Sequence, residues 1–169
     1  MLKACVWTLA FLGLLSAPVT AQTYVQATVD ARGQLHILTQ DRREIVPKKE
    51  PEQVGFDLPQ ISPDDHAVGW LEMYPNCCTS YPIPLALVIY AHGKLRKYRG
   101  SGLPVWQWRF EAQGKQVAFE QETVHGGMGV HYELHDVKTG RLLAKYDPPF
   151  HSADSGDIGT PPRWVAEMN

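Results

Sequence analysis

A pattern of about 48 residues occurs twice in this chain, and it limits the possible architecture more than any single motif does. The first copy runs Gln60-Ile61-Ser62-Pro63-Asp64-Asp65-His66-Ala67-Val68-Gly69-Trp70, then Leu87-Val88-Ile89-Tyr90-Ala91-His92-Gly93-Lys94-Leu95. The second runs Arg109-Phe110-Glu111-Ala112-Gln113-Gly114-Lys115-Gln116-Val117-Ala118-Phe119, then Leu134-His135-Asp136-Val137-Lys138-Thr139-Gly140-Arg141-Leu142. Ile61 and Phe110 stand 49 residues apart, as do Trp70 and Phe119. Leu87 and Leu134 stand 47 apart, as do Gly93 and Gly140. Such a period suits four-stranded propeller blades. It says less about function, because one scaffold hosts many activities.

Strand signals fill both copies. Gly55 to Ser62, His66 to Met73, Leu85 to Tyr90 and Leu95 to Tyr98 are the expected strands of the first. Val105 to Glu111, Lys115 to Gln121, Val130 to Val137 and Arg141 to Tyr146 are those of the second. Leu85-Ala86-Leu87-Val88-Ile89-Tyr90 is nearly all apolar, which fits a strand buried on both faces. Pro63-Asp64-Asp65 turns the chain, since Pro presets φ and Asp bonds nearby backbone. Upstream, Tyr24 to Val29 and Gln34 to Thr39 flank Asp30-Ala31-Arg32-Gly33, a hairpin signature. Residues 41–54, with mixed charge and two prolines, read as a solvated connector.

Ile61-Ser62-Pro63-Asp64 with Val68-Gly69-Trp70 resembles the strand-turn-strand signature of the WD40-like repeats of TolB-type β-propellers. Asp136-Val137-Lys138-Thr139-Gly140-Arg141-Leu142 is similar to the outer hairpin of many propeller blades. The second copy has Glu111-Ala112-Gln113 in place of Ser-Pro-Asp. The resemblance covers residues 55–147, and it implies protein interaction by analogy. Two units and a hairpin make about ten strands, too few for a closed ring of four or more blades. The expected fold is therefore all-β, with antiparallel four-stranded blade-like repeats, as an incomplete propeller or a two-sheet sandwich. The open edge calls for assembly, with homo-oligomers one route, or for a cover from the tail, Pro148 to Asn169. Within that tail, Pro161-Pro162-Arg163-Trp164 reads as the start of a short helix.

The first residues read as an export signal. Lys3 gives the charged start, Ala4 to Leu15 the apolar run, and Val19-Thr20-Ala21 a small-residue cleavage site. The expected organisation is a signal peptide over 1–21, a blade-like domain over 22–147 and a tail over 148–169. The expected location is periplasmic or secreted. No later apolar run is long enough to cross a bilayer. Cys5 departs with the leader, leaving Cys77 and Cys78 and no long-range disulfide framework. The formal net charge of −2 becomes −3 once Lys3 is lost. The domain reads as mildly acidic and without a basic run, which makes it a poor nucleic-acid binder.

Cys77-Cys78 is the one unusual chemical feature. Adjacent cysteines close a disulfide only through a strained small ring, and strained disulfides are labile and sometimes regulatory. His125-Gly126-Gly127 resembles the oxyanion-hole segment of some lipases, but no Gly-x-Ser-x-Gly elbow accompanies it. It reads instead as a glycine-rich connector. The long loops of the two copies, Tyr74 to Pro84 and Thr123 to Gly129, fall at equivalent places. On a blade scaffold they share one rim with the Gly100 to Pro104 connection. Cys77, Cys78, Tyr81, Trp106, His125 and Met128, with His131 beside them, are thus the candidate binding residues. Thiolate, thioether and imidazole suit Cu(I), although no spacing matches a known metal motif. Trp70 and Phe119 read as core. Trp106, Trp108 and Phe110 read as one strand face, Asp65-His66 as a turn pair, and His36 and His92 as solvated.

The expected function is an exported, non-enzymatic binding or assembly module that takes a protein partner or small ligand at the long-loop rim, with no cofactor. The alternative is a periplasmic thiol-redox or copper-binding protein using Cys77 and Cys78.

Overall fold

The computed structural model describes residues 22–127, 129–149 and 160–168. The expected leader, Met128, and the tail residues His151, Asp154 and Asp157 lie outside them. Among the described residues, eleven strands form three antiparallel sheets that do not close into a barrel. The first sheet holds β1 (Tyr24–Val29), β2 (Leu35–Thr39) and β3 (Glu44–Ile45). The second holds β4 (Gly55–Ile61), β5 (Ala67–Tyr74), β6 (Ile83–Ala91) and β7 (Lys94–Tyr98). The third holds β8 (Val105–Glu111), β9 (Gln116–Gln121), β10 (His131–Asp136) and β11 (Leu142–Tyr146). In each sheet the spatial order is the chain order.

Local chemistry explains the turns. The Asp30 carboxylate accepts hydrogen bonds from the Arg32 and Gln34 amides at 2.8 Å, which closes the β1–β2 hairpin. The Ser62 hydroxyl accepts the Ala67 amide at 2.8 Å and donates to Asp64 at 2.6 Å. The Ser-Pro-Asp triplet is therefore spent on its own turn. β3 lies inside the stretch expected to be a plain connector. A tight turn over Thr39 to Arg43, with Arg42 at φ 64°, folds the chain back onto β2.

Side-chain alternation then stacks the sheets. On β5 and β6, Val68, Trp70 and Val88 face the first sheet, where they meet Tyr24, Leu35 and Ile37. Leu71, Leu87, Ile89 and Ala91 face the third, where they meet Trp108, Phe110, Val117 and Phe119. The second sheet is thus buried on both sides, which accounts for the unbroken apolar run of β6. The repeat positions play equivalent parts: Trp70 faces the sheet before it, and so does Phe119.

Among the described residues, no fourth sheet meets the outer face of the third. A one-turn helix, α1 (Arg163–Ala166), covers it instead, with Val165 and Met168 packed on Ala118, Tyr132 and Leu134. Arg109 on β8 binds Glu167 through its carbonyl and carboxylate, and Arg163 holds the same carboxylate at 2.6 Å. The described part of the tail, residues 160–168, therefore packs on the outer face of the third sheet.

Candidate functional site

Of the residues expected on the long-loop rim, Cys77, Cys78, Tyr81 and His125 are exposed, Trp106 is half-buried, and Met128 lies outside the described residues. Cys77 and Cys78 are both free and exposed in the β5–β6 loop, with their sulfurs 2.8 Å apart. Tyr81 is exposed in the same loop. His125 is exposed in the β9–β10 loop. No hydrogen bond, ion pair or ring contact among the described residues joins these two loops. Trp106 is half-buried, and its Nε1 donates to the Glu122 carbonyl at 3.0 Å. A bulge between Val105 and Gln107 puts Val105, rather than Trp106, in line with Trp108 and Phe110 in the core. That corrects the single-face reading of the three aromatics. Among the described residues, no three of His, Cys, Asp and Glu gather as metal ligands.

Two of the hollows among the described residues lie between the second and third sheets. One hollow of about 420 Å³ is lined by residues 95–100 on one side and by Glu133, His135, Thr139 and Gly140 on the other. A second, of about 300 Å³, is lined by Ala91, His92, Lys94, Arg96, Val137 and Lys138. Arg96 borders both. Both hollows, here called the cleft, lie between β7 and the β10–β11 turn, and Arg96 spans from β7 to that turn between them.

Its floor is aromatic. The His135 ring stacks on Phe119 at 5.4 Å and meets the Tyr98 ring edge-on at 4.8 Å. His135 Nε2 lies 2.8 Å from Glu133, and Glu133 also holds Lys145 at 3.0 Å. Burial pushes the Tyr98 hydroxyl above the ordinary tyrosine range.

Its walls are cationic. Arg96 Nε donates to the Val137 carbonyl at 3.0 Å, and another of its nitrogens donates to the Lys138 carbonyl. Two bonds thus fix the guanidinium across the sheet junction without neutralising it. Gly140 makes room for it, since a Cβ there would lie 3.3 Å from Arg96 Nη1. Lys97 is neutralised by Glu50 and by Glu72, the latter at 2.7 Å. Lys94, Arg99 and Lys138 are exposed, with no carboxylate at ion-pair distance among the described residues. Among the described lining residues the one carboxylate, Glu133, is shared between His135 and Lys145, while Asp136 and Glu50, outside the lining, lie close enough to feel Arg96 and Arg99 respectively.

A buried glutamine sets the end of the cleft. Gln121 is fully buried, and its Nε2 donates to the Arg99 and Leu103 carbonyls, both at 3.1 Å. Its Oε1 accepts the Ser101 amide and hydroxyl, also at 3.1 Å. This one side chain holds the β7–β8 connection and with it the backbone of Arg99.

Net charge concealed the cleft. Lys94-Leu95-Arg96-Lys97-Tyr98-Arg99 carries four basic side chains in six residues of a chain whose formal charge is −2. That local run was the available signal. Nothing in the sequence marked Lys138 as its neighbour or Gln121 as its fastener.

No protein-family model matches the chain, and no curated protein matches it in sequence.

Proposed function

We propose that this chain is an exported binding module without catalytic activity, and that it takes a small, multiply anionic ligand in the cleft between β7 and the β10–β11 turn. The observation that carries the reading is that Lys94 and Lys138, exposed and outside any ion pair among the described residues, line one hollow with the fixed guanidinium of Arg96, while Arg99 lines the adjoining hollow that Arg96 also borders. Guanidinium and ammonium groups at the walls of a concave site recognise carboxylate and phosphate oxygens. Export rests on the leader-like start, Lys3 to Ala21.

Lysine and arginine on an edge strand also deter edge-to-edge pairing, and β7 is an edge strand. That alone does not account for Lys138, which stands on the turn of the facing sheet and lines the same cleft. Charges converging from two sheets favour a ligand between them.

Calorimetric titration with tripolyphosphate and with citrate tests the proposal and separates phosphate from carboxylate as the preferred oxyanion. The wild-type protein binds at least one of them, more weakly as salt rises. The Arg99→Glu/Lys138→Glu variant binds it at least about tenfold more weakly, a loss of roughly 1.4 kcal/mol. Equal binding by both proteins, or none by the wild type at low salt, overturns the reading.

A further inference from the structure

A second feature, independent of the cleft, is the pair of thiols in the β5–β6 loop. Cys77 and Cys78 are both exposed, and their sulfurs are each other's nearest polar partners at 2.8 Å. The loop holds this arrangement with its own bonds. The Asn76 carboxamide accepts the Cys78 amide at 3.3 Å and donates to the Thr79 hydroxyl at 3.2 Å. The Thr79 hydroxyl in turn donates to the Tyr81 carbonyl at 2.6 Å. No carboxylate or imidazole in the described structure bonds to either sulfur.

We propose that Cys77 and Cys78 form a reversible modification site, oxidised by small-molecule disulfides to a bond between the two adjacent residues. One sulfur, as thiolate, attacks a sulfur of the external disulfide RSSR. A mixed disulfide forms, and one RS⁻ leaves and takes up the proton released by the attacking thiol. The second sulfur then attacks the first, expels the remaining RS⁻, and its proton completes a second RSH. The two thiols lose two electrons and two protons, and the external disulfide gains both. Both sulfurs are exposed and either can be the hydrogen-bond donor, so either can open the exchange.

Two features make the site a switch rather than a staple. Exposure lets an external disulfide reach both sulfurs. Adjacency places the Cα atoms about 3.8 Å apart across the trans peptide, nearer than the usual 4.4–6.8 Å of disulfides, so the bond is strained and easily reduced. β5 and β6, which carry the loop, are already fixed by the second sheet. Oxidation therefore changes the loop and leaves the fold intact.

Peptide-level mass analysis after exposure of the reduced full chain to oxidised glutathione tests this. The expected product is a peptide carrying Cys77 and Cys78 that is lighter by two hydrogens, resists alkylation, and recovers both thiols on reduction. Cys77→Ser and Cys78→Ser variants should instead stop as glutathione adducts. A wild-type chain that keeps both thiols alkylatable, or that accumulates the same stable adducts as the single variants, overturns the proposal. So does a product linked between two chains. None of these outcomes bears on anion binding in the cleft.

Discussion

The Trp108 indole fills the space above Gly69, where a Cβ would stand 2.5 Å from Trp108 Cη2 and 2.5 Å from Ile89 Cδ1. The same indole donates from Nε1 to the Leu58 carbonyl at 3.1 Å, and the Trp108 carbonyl accepts from Gln60 at 3.0 Å. One residue thus joins the third sheet to the second by packing and by two hydrogen bonds. Gly69→Ala forces overpacking at this junction and should cost about 1–3 kcal/mol. Thermal unfolding checks it: the variant melts several degrees lower. An unchanged melting temperature would show that the indole has other room.

Glu120 sits where the repeat places Leu71 in the preceding sheet. Leu71 faces a sheet, whereas Glu120 faces the end of the stack, and both are buried. Burial pushes the Glu120 carboxyl above the ordinary carboxylate range, with Glu122 adding to the shift and a bond from Tyr132 opposing it. A raised folded pKa means that the linked stability is present below the ordinary glutamate value and is lost as pH rises through the raised one. Glu120→Gln removes that loss and keeps an acceptor for Tyr132. The variant should melt higher than the wild type at neutral pH, with the gap closing at acid pH. A gap that does not change with pH would contradict the assignment.

The tail stands in for a missing sheet. Val165 is 2 % exposed and packs, with Met168, on Tyr132 and Leu134. Val165→Ala removes two buried methyl groups and should cost roughly 1.5 kcal/mol, at about 0.8 kcal/mol for each buried carbon. Chemical denaturation measures it. A loss within error would mean that α1 is dispensable to the third sheet.

Much of the architecture was legible because it is written in side-chain period. Trp70 and Phe119 share a repeat position and share a role, each facing the preceding sheet. The apolar run of β6 announced burial on both faces before any contact was known. What period does not encode is a one-residue slip, and the bulge between Val105 and Gln107 is such a slip. It moved Trp106 out of line with Trp108. β3 was missed because two residues among charges and prolines carry no pattern of their own. The site was the least legible part. Loop length pointed to Cys77 and His125, yet the concave surface is made where β7 meets a turn 41 residues away, through Arg96 and Val137. Among the described residues, no hydrogen bond, ion pair or ring contact joins the equivalent loops of the two copies.

The central claim is that the cleft between the second and third sheets binds anions. Amide chemical-shift mapping during a tripolyphosphate titration tests it most directly. The account predicts saturable shifts concentrated on residues 94–100 and 137–140, with the Asn76 to Tyr81 loop and the β1–β2 hairpin unmoved. Shifts that are absent, that never saturate, or that concentrate away from β7 and the β10–β11 turn would contradict it.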